Sequence, residues 1–366
     1  MDSLLPVAFD VGPLSGPRTG IGVAVSEIET ALRAGGRIQV VPYQISFRAR
    51  NVDGVATLPV PAALAHRWWT RFDRPRIDRW WNSARLIHGT NYVVPPSSLP
   101  RVVSVYDTWF LRHPDLANPA VQRAGQILRR SVASGAVIHT TSHSTASQLG
   151  ELFPDAEVDV IPLGPPALAP PPATCHLAQR LPRPFIVSIG TVERRKNVPA
   201  LVDAFGHIDP RLSLDLVIAG RTGDDQAGLD AAVARLSSTQ RTRVVLLGQI
   251  DERTKSWLLH HAAALAYPSL DEGFGFPVLE AFAAGLPVVA SNAGSIPEVA
   301  GQAALLSDPM DRDALAANLT TVLDDQIRAT LVGGGRQRLT AFSWPRCADQ
   351  LADLYHRLVD ALEPGR

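Results

Sequence analysis

Cysteine is nearly missing from this chain: there are two, Cys175 and Cys347, in 366 residues. Their spacing fits neither a metal site nor a redox dithiol, and it builds no disulfide framework. Two free thiols in a reducing compartment are expected. An excess of either charge is also missing. Lys plus Arg and Asp plus Glu number 35 each, so the formal net charge is zero. That excludes the broadly basic surface of a general nucleic-acid binder, although local basic patches remain open. No apolar run reaches the roughly 18 residues of a membrane-crossing helix. The N-terminus has no basic leader, and the apolar stretch Leu4 to Val11 is interrupted by Pro6 and Asp10. It therefore reads as a first buried strand rather than a secretory signal. A soluble, cytoplasmic, globular protein is expected. Its length implies two or three domains at about 150 residues each.

The chain is rich in short apolar runs that end in glycine-containing loops. The most informative stretch runs from Pro268 to Val299, beginning P-S-L-D-E-G-F-G-F-P-V-L-E. Ala262 to Tyr267 reads as a buried strand, followed by the loop Glu272-Gly273-Phe274-Gly275. Pro277 suits the first turn of a helix, where its missing N–H costs nothing. Gly285 suits the left-handed position at that helix's end. Leu286 to Ala290 reads as the next strand, and Ser295 to Glu298 has the spacing of a capping box. Strand, glycine loop, helix, strand is a geometry that offers backbone N–H groups and a helix dipole to an anion such as a diphosphate. Glu272 and Glu280 flank the loop. Carboxylates repel phosphate but accept charge-assisted bonds from vicinal hydroxyls. A ligand with a central diphosphate and polyols at both ends is a nucleotide sugar. The alternative is a turn with two solvated glutamates.

This segment resembles the E-x7-E signature of the retaining glycosyltransferases of family 4, with Glu272 and Glu280 as the acidic positions and G-F-G-F-P-V-L between them. The resemblance implies the GT-B fold: α/β, two Rossmann-like domains with parallel sheets facing an interdomain cleft. It implies that Glu272, Gly273, Phe274 and Gly275 hold the donor sugar and that Glu280 holds the ribose. After the strand Phe185 to Gly190 comes the basic loop Thr191-Val192-Glu193-Arg194-Arg195-Lys196-Asn197. It lies where open α/β sheets bind ligands, and it resembles the family's diphosphate-binding loop. Many members carry Arg where Thr191 stands, so Arg195 beside Lys196 is expected to supply the second cation. The loop at Gln249-Ile250 resembles the place where the nucleobase is held by backbone groups, with Ile250 the donor-side residue.

The resemblance is weaker in the first half. Gly12 to Gly22 is a glycine-rich loop before a helix expected at about Val23 to Ala34. In the family such a loop covers the donor diphosphate beside the acceptor, and Gly20 and Gly22 match best. Arg101 to Tyr106 reads as a strand ending in Tyr106-Asp107, where the family has His-Asp. Because that His lies near an outer hydroxyl of the donor sugar, Tyr106 suggests a donor lacking it, such as a 6-deoxy sugar. Asp107 is open between holding the strand end and touching the acceptor. The stretch from His66 to Trp81 holds four tryptophans and five arginines. It reads mainly as a helix packing its Trp face on the first sheet, with peripheral membrane contact as the second reading.

Seven of the twenty residues from Pro165 to Pro184 are proline, which reads as a semi-rigid linker. The expected organisation is 1–168 (acceptor side), 169–184 (linker), 185–344 (nucleotide-sugar domain) and 345–366, a final amphipathic helix crossing back to the first domain. The only Asp-x-Asp triplet, at Asp311, reads as first-turn acids. The implied activity is retaining transfer of a hexose or 6-deoxyhexose, mannose- or rhamnose-like, to a glycan or lipid-linked acceptor. The expected setting is surface polysaccharide or glycolipid synthesis, in the cytoplasm or at the inner face of the plasma membrane. No metal or other cofactor is implied, and neither is nucleic acid. Lys196, Arg195 and Glu272 are the catalytic candidates. A phosphorylase, an epimerase of the same fold and a silent nucleotide-sugar binder remain open, the epimerase disfavoured by the E-x7-E loop.

Overall fold

The structure is a computed structural model describing residues 4–16, 19–45, 54–58, 61–80 and 83–362. Pro17 and Arg18 of the glycine-rich loop and Trp81 of the Arg–Trp stretch lie outside the described residues. The chain forms two compact units, one of residues 1–164 with 342–366 and one of residues 165–341.

Among the described residues the first unit is built on seven strands: β1 (Leu5–Asp10), β2 (Ile38–Gln44), β3 (Ala56–Thr57), β4 (Leu86–Gly89), β5 (Arg101–Ser104), β6 (Val137–Thr140) and β7 (Val158–Val160). They pair in parallel in the order β3-β2-β1-β4-β5-β6-β7. β4, β5 and β6 are buried along their whole length, as expected for a parallel sheet covered on both faces. Helices pack Leu128, Leu149 and Trp69 onto it. The last helix, Trp344–Asp360, lies against the Gly20–Ala34 helix. It buries Leu351, Leu354, Tyr355 and Val359, while Leu362 is exposed. Its Tyr355 hydroxyl meets His88 Nδ1 at 2.6 Å. Ser104 Oγ then links His88 Nε2 (2.8 Å) to His139 Nδ1 (2.9 Å). Burial lowers both imidazole pKa values, that of His139 to about 4. This neutral network ties the last helix to three strands.

The second unit has six parallel strands: β8 (Phe185–Ile189), β9 (Asp215–Ala219), β10 (Val244–Gly248), β11 (Ala264–Tyr267), β12 (Val288–Ser291) and β13 (Ala304–Ser307). Their order is β10-β9-β8-β11-β12-β13. The proline-rich segment is packed rather than free. It groups with this unit from Pro165, buries Leu177 and Leu181, and contains a one-turn helix, Leu177–Arg180. The division therefore falls at 164/165 instead of 168/169, and at 341/342 instead of 344/345.

Three local expectations need correcting. The first long helix begins at Gly20, so Gly20 and Gly22 form its first turn rather than a loop. Thr19 Oγ1 accepts the Gly22 N–H at 3.1 Å, a cap that starts the helix early. The capping box at Ser295 does not form. Ser295 already has helical backbone angles, and its N–H donates to the Glu272 carbonyl. The Arg–Trp stretch is not one packed Trp face: Trp69 is 2% exposed but Trp68 is 54% exposed. Among the described residues no helix is long and apolar enough to cross a membrane, and no three His, Cys, Asp or Glu side chains are placed to hold a metal ion.

Candidate functional site

In the second unit, chain connections leave β8 and β11 in opposite directions across the sheet, so these neighbours form its topological switch point. Crevices at such points, outside the carboxyl ends of the strands, are where open α/β sheets bind ligands. The loop after β8 carries Arg195 and Lys196, and the loop after β11 carries Glu272. Lys196 Nζ donates to Glu272 Oε1 at 2.6 Å, and Arg195 Nη1 donates to Glu272 Oε2 at 2.7 Å. Arg195 Nη1 also donates to the Asp271 carbonyl at 3.1 Å, so both loops are fixed to one another. Arg194, the third cation of the loop, is exposed.

The electrostatics follow from that packing. Burial pushes the Glu272 carboxyl up, but Arg195 and Lys196 outweigh it and hold the pKa at about 2. Burial pulls the Lys196 ammonium down, against the opposing pull of Glu272. Lys196 Nζ also donates to the Tyr267 hydroxyl at 2.6 Å and lies 4.8 Å from that ring's centroid. Tyr267 was invisible as a site residue in the sequence. Its one signal was its place as the last residue of an apolar strand.

The loops are held by backbone devices. Asn197 takes the left-handed conformation, φ 53°, and its Nδ2 donates to the carbonyls of Pro268 and Pro309. Gly294 has φ +56°, and a Cβ there would sit 2.5 Å from the Glu272 N. Only glycine permits that approach. Gly275, φ 99°, caps the Phe276–Ala283 helix, and Phe274 is buried with its ring edge-on to Phe276. Gly273 lies between Glu272 and Phe274 in the same turn.

Glu280 is buried in that helix. Lys255 Nζ, from the Glu252–His261 helix, donates to Glu280 Oε1 at 2.8 Å and pairs with Glu252 Oε2 at 2.8 Å. Burial alone would lower the Lys255 pKa; Glu280 and Glu252 more than offset it, so the net shift is upward. Nothing in the sequence pattern singled out Lys255, whose partner is 25 residues away. Ile250 is half-buried just before this helix, whose N-cap is Asp251.

Gly20, Gly22, Tyr106 and Asp107 all belong to the first unit. Tyr106 is 8% exposed, with its ring edge-on to Tyr92 at 6.2 Å. Asp107 accepts the Trp109 N–H at 3.1 Å and the Tyr92 hydroxyl at 3.4 Å, so it holds the strand end and starts the next helix.

Two doubly wound α/β units define a GT-B protein, and the lysine, arginine and glutamate at one switch point suit a sugar-nucleotide enzyme. Residues 177–338 match the family described as glycosyl transferases group 1. The chain is 31% identical over 288 residues to O-antigen chain mannosyltransferase B of Escherichia coli, covering 75% of this chain and 74% of that one. It belongs to the glycosyl transferases group 1 family and is a hexosyltransferase. Among solved structures, sucrose-phosphate synthase of Thermosynechococcus elongatus superposes with TM-score 0.73 at 21% identity, over 98% of this chain and all of that one. HepE of Anabaena, solved with UDP and glucose, superposes with TM-score 0.71 at 18% identity, over 96% of this chain and 100% of that one.

Proposed function

We propose that this chain is a retaining family 4 glycosyltransferase that moves a mannosyl residue from a nucleoside diphosphate donor to a glycan or lipid-linked acceptor, in surface polysaccharide or glycolipid synthesis. The observation that carries this reading is the Lys196–Glu272–Arg195 cluster at the switch point of the second unit. The two cations share one buried carboxylate, Glu272, while the second acid near them, Glu193, lies 3.7 Å from Arg195 and is 40% exposed to solvent, so positive charge predominates only in the buried part of the site. Such a site stabilises the charge that grows on a departing diphosphate, without a metal or other cofactor.

In this proposal Lys196 and Arg195 bind the diphosphate, helped by the N–H groups of Gly273, Phe274 and Gly275. Glu272 takes hydroxyls of the donor sugar. Glu280, held by Lys255, takes the ribose hydroxyls, and the backbone at Ile250 meets the base. The departing phosphate accepts the acceptor's proton, so no side-chain base is assigned to that step. Mannose as the sugar rests on the named activity of the Escherichia coli relative. A 6-deoxyhexose donor is the second reading, favoured by Tyr106 standing where the family's His is expected.

A thermal-shift panel with UDP, GDP, dTDP and ADP, followed by the matching sugars, tests the donor reading. A ligand at about 100 times its dissociation constant adds about 2.7 kcal/mol of stability. A shift with one nucleotide names the base, and a shift with none sinks the reading. Turnover of the stabilising donor then excludes a silent binder. Dependence of that turnover on inorganic phosphate would identify a phosphorylase instead, and the anomeric configuration of the product, read by NMR, tests retention.

A further inference from the structure

The first unit has a switch point of its own. In the order β3-β2-β1-β4-β5-β6-β7, connections run outward in opposite directions from β1 and β4, so the crevice outside their carboxyl ends is the expected ligand position. Asp10 is the last residue of β1. Its Oδ1 accepts the Gly12 N–H at 2.8 Å, and a Cβ on Gly12 would lie 2.9 Å from that oxygen. The turn over the carboxyl is tied down on its other side, where Ser15 Oγ donates to Gln44 Oε1 at 3.0 Å.

Asp10 is 8% exposed. Among the described residues no cation lies against it and its Oδ2 accepts no hydrogen bond. The titratable groups facing it are the phenols of Tyr43, from β2, and Tyr106, just beyond β5. Burial raises both phenols, so they are neutral at ordinary pH. Burial likewise raises the Asp10 pKa to about 7, against a smaller lowering by the Gly12 bond.

A carboxyl this deep without a counter-charge is costly. Asn would accept the Gly12 N–H equally well without that cost, so the local turn does not account for an acid here. A perturbed acid at a ligand-binding crevice marks a functional group. The free oxygen limits the ligand. Phosphate would be repelled. Among the described residues no three His, Cys, Asp or Glu side chains are placed together, so Asp10 lacks the partners a metal ion would need. A neutral hydroxyl fits, as a charge-assisted O–H···O⁻ bond.

Resting on the glycosyltransferase reading above, we propose that Asp10 is an acceptor-binding residue, whose carboxylate holds a hydroxyl of a neutral sugar acceptor at the switch point of the first unit. The test is transfer from GDP-mannose to methyl α-mannoside and to the α-linked mannobioses, across mildly acid to mildly alkaline pH, for the wild type and Asp10→Asn. Losing one charge-assisted bond should raise the acceptor KM about 10- to 100-fold and leave the donor KM unchanged. The wild-type acceptor KM should rise as pH falls through about 7, and this dependence should vanish in Asp10→Asn. A nucleotide-induced thermal shift retained by the variant shows that it folds. A variant with the wild-type acceptor KM and pH profile overturns the proposal, as does a wild type that transfers to no mannoside. The nucleotide shift separates the two readings: its absence from the wild type sinks the glycosyltransferase reading, whereas its presence beside unaltered acceptor kinetics sinks only the role of Asp10.

Discussion

At the scale of single residues, Glu272 is the counter-charge of two cations, and removing it exposes what they are for. Glu272→Gln would leave Lys196 and Arg195 side by side with only the solvent-screened Glu193, 3.7 Å from Arg195, to balance them. Breaking such a pair in a buried site costs about 3–5 kcal/mol, and less here, because both cations keep 16% side-chain exposure. The variant should melt lower at neutral pH. The carboxyl's stabilisation is present above its ordinary 4.5 and is lost as pH falls toward about 2, so the two melting curves should converge in acid. A nucleoside diphosphate supplies the missing negative charge, and should therefore stabilise the variant more than the wild type while sugar transfer falls. Equal shifts in the two proteins would contradict diphosphate binding by this cation pair. Lys196→Ala should cost about 10²–10³ in kcat, as loss of one transition-state charge partner does; turnover like the wild type would refute its role.

Asp10 behaves with the opposite sign. Its folded pKa lies above its ordinary 3.8, at about 7, so its contribution to stability is full at low pH and disappears as pH rises through that range. Integrated, this is about 4 kcal/mol at most. Asp10→Asn should therefore gain stability over the wild type on going from acid to mildly alkaline pH. Parallel melting curves would mean that the carboxyl is better solvated than its burial implies. The residues readable in the sequence sit on two short segments: the strand, glycine loop and helix around Glu272 and Glu280 suggested anion and hydroxyl chemistry by their own pattern, whereas the basic loop with Arg195 and Lys196 took its role from the family resemblance. Asp10, Tyr267 and Lys255 were not readable because their roles arise from partners and burial supplied by distant parts of the chain. Asp10 registered only as an interruption of a strand.

At the scale of elements, the strands were legible because apolar runs such as Phe185–Ile189 leave little choice in a sheet buried on both faces. Helix starts were less so, since caps compete locally. Thr19 drew Gly20 and Gly22 into a helix, while Ser295 failed to cap because its backbone was already committed to Glu272. The Glu252–His261 helix presents Lys255 near its N-terminal end, the unfavourable end for a cation, and Glu252 and Glu280 offset this. Lys255→Met should lower stability by about 1–3 kcal/mol, because it leaves the Glu280 carboxylate without that buried partner. It should also raise the donor KM with little change in kcat, and Lys255→Arg should recover part of both. If kcat fell as much as KM rose, Lys255 would be acting on the reacting sugar rather than through Glu280.

At the scale of the whole molecule, each unit carries a charged group at the switch point of its own sheet: the Lys196–Glu272–Arg195 cluster in one and Asp10 in the other. The zero net charge hides a further asymmetry. Leu64, Trp68 and Phe72 are 57%, 54% and 53% exposed, and the Trp68 and Phe72 rings lie 5.8 Å apart. Arg67, Arg71, Arg74 and Arg76 are exposed beside them. Ala65 and Trp69 anchor the Ala62–Trp69 helix, which carries Leu64 and Trp68, in the core. Exposed aromatics with exposed arginines on the same segment would suit an anionic membrane interface. Each arginine near such a surface contributes about 1 kcal/mol. Because the attraction is local to the patch, added salt should screen it over about a Debye length. The protein should therefore cosediment with phosphatidylglycerol vesicles and not with phosphatidylcholine vesicles, increasingly less as salt rises. Trp68→Glu with Phe72→Glu should abolish most of the binding and leave the melting temperature unchanged, since neither ring is in the core. Arg67→Ala with Arg71→Ala should weaken binding and flatten its salt dependence. Equal binding to both lipids would make the contact purely apolar, and no binding at low salt would leave the patch to a protein partner instead.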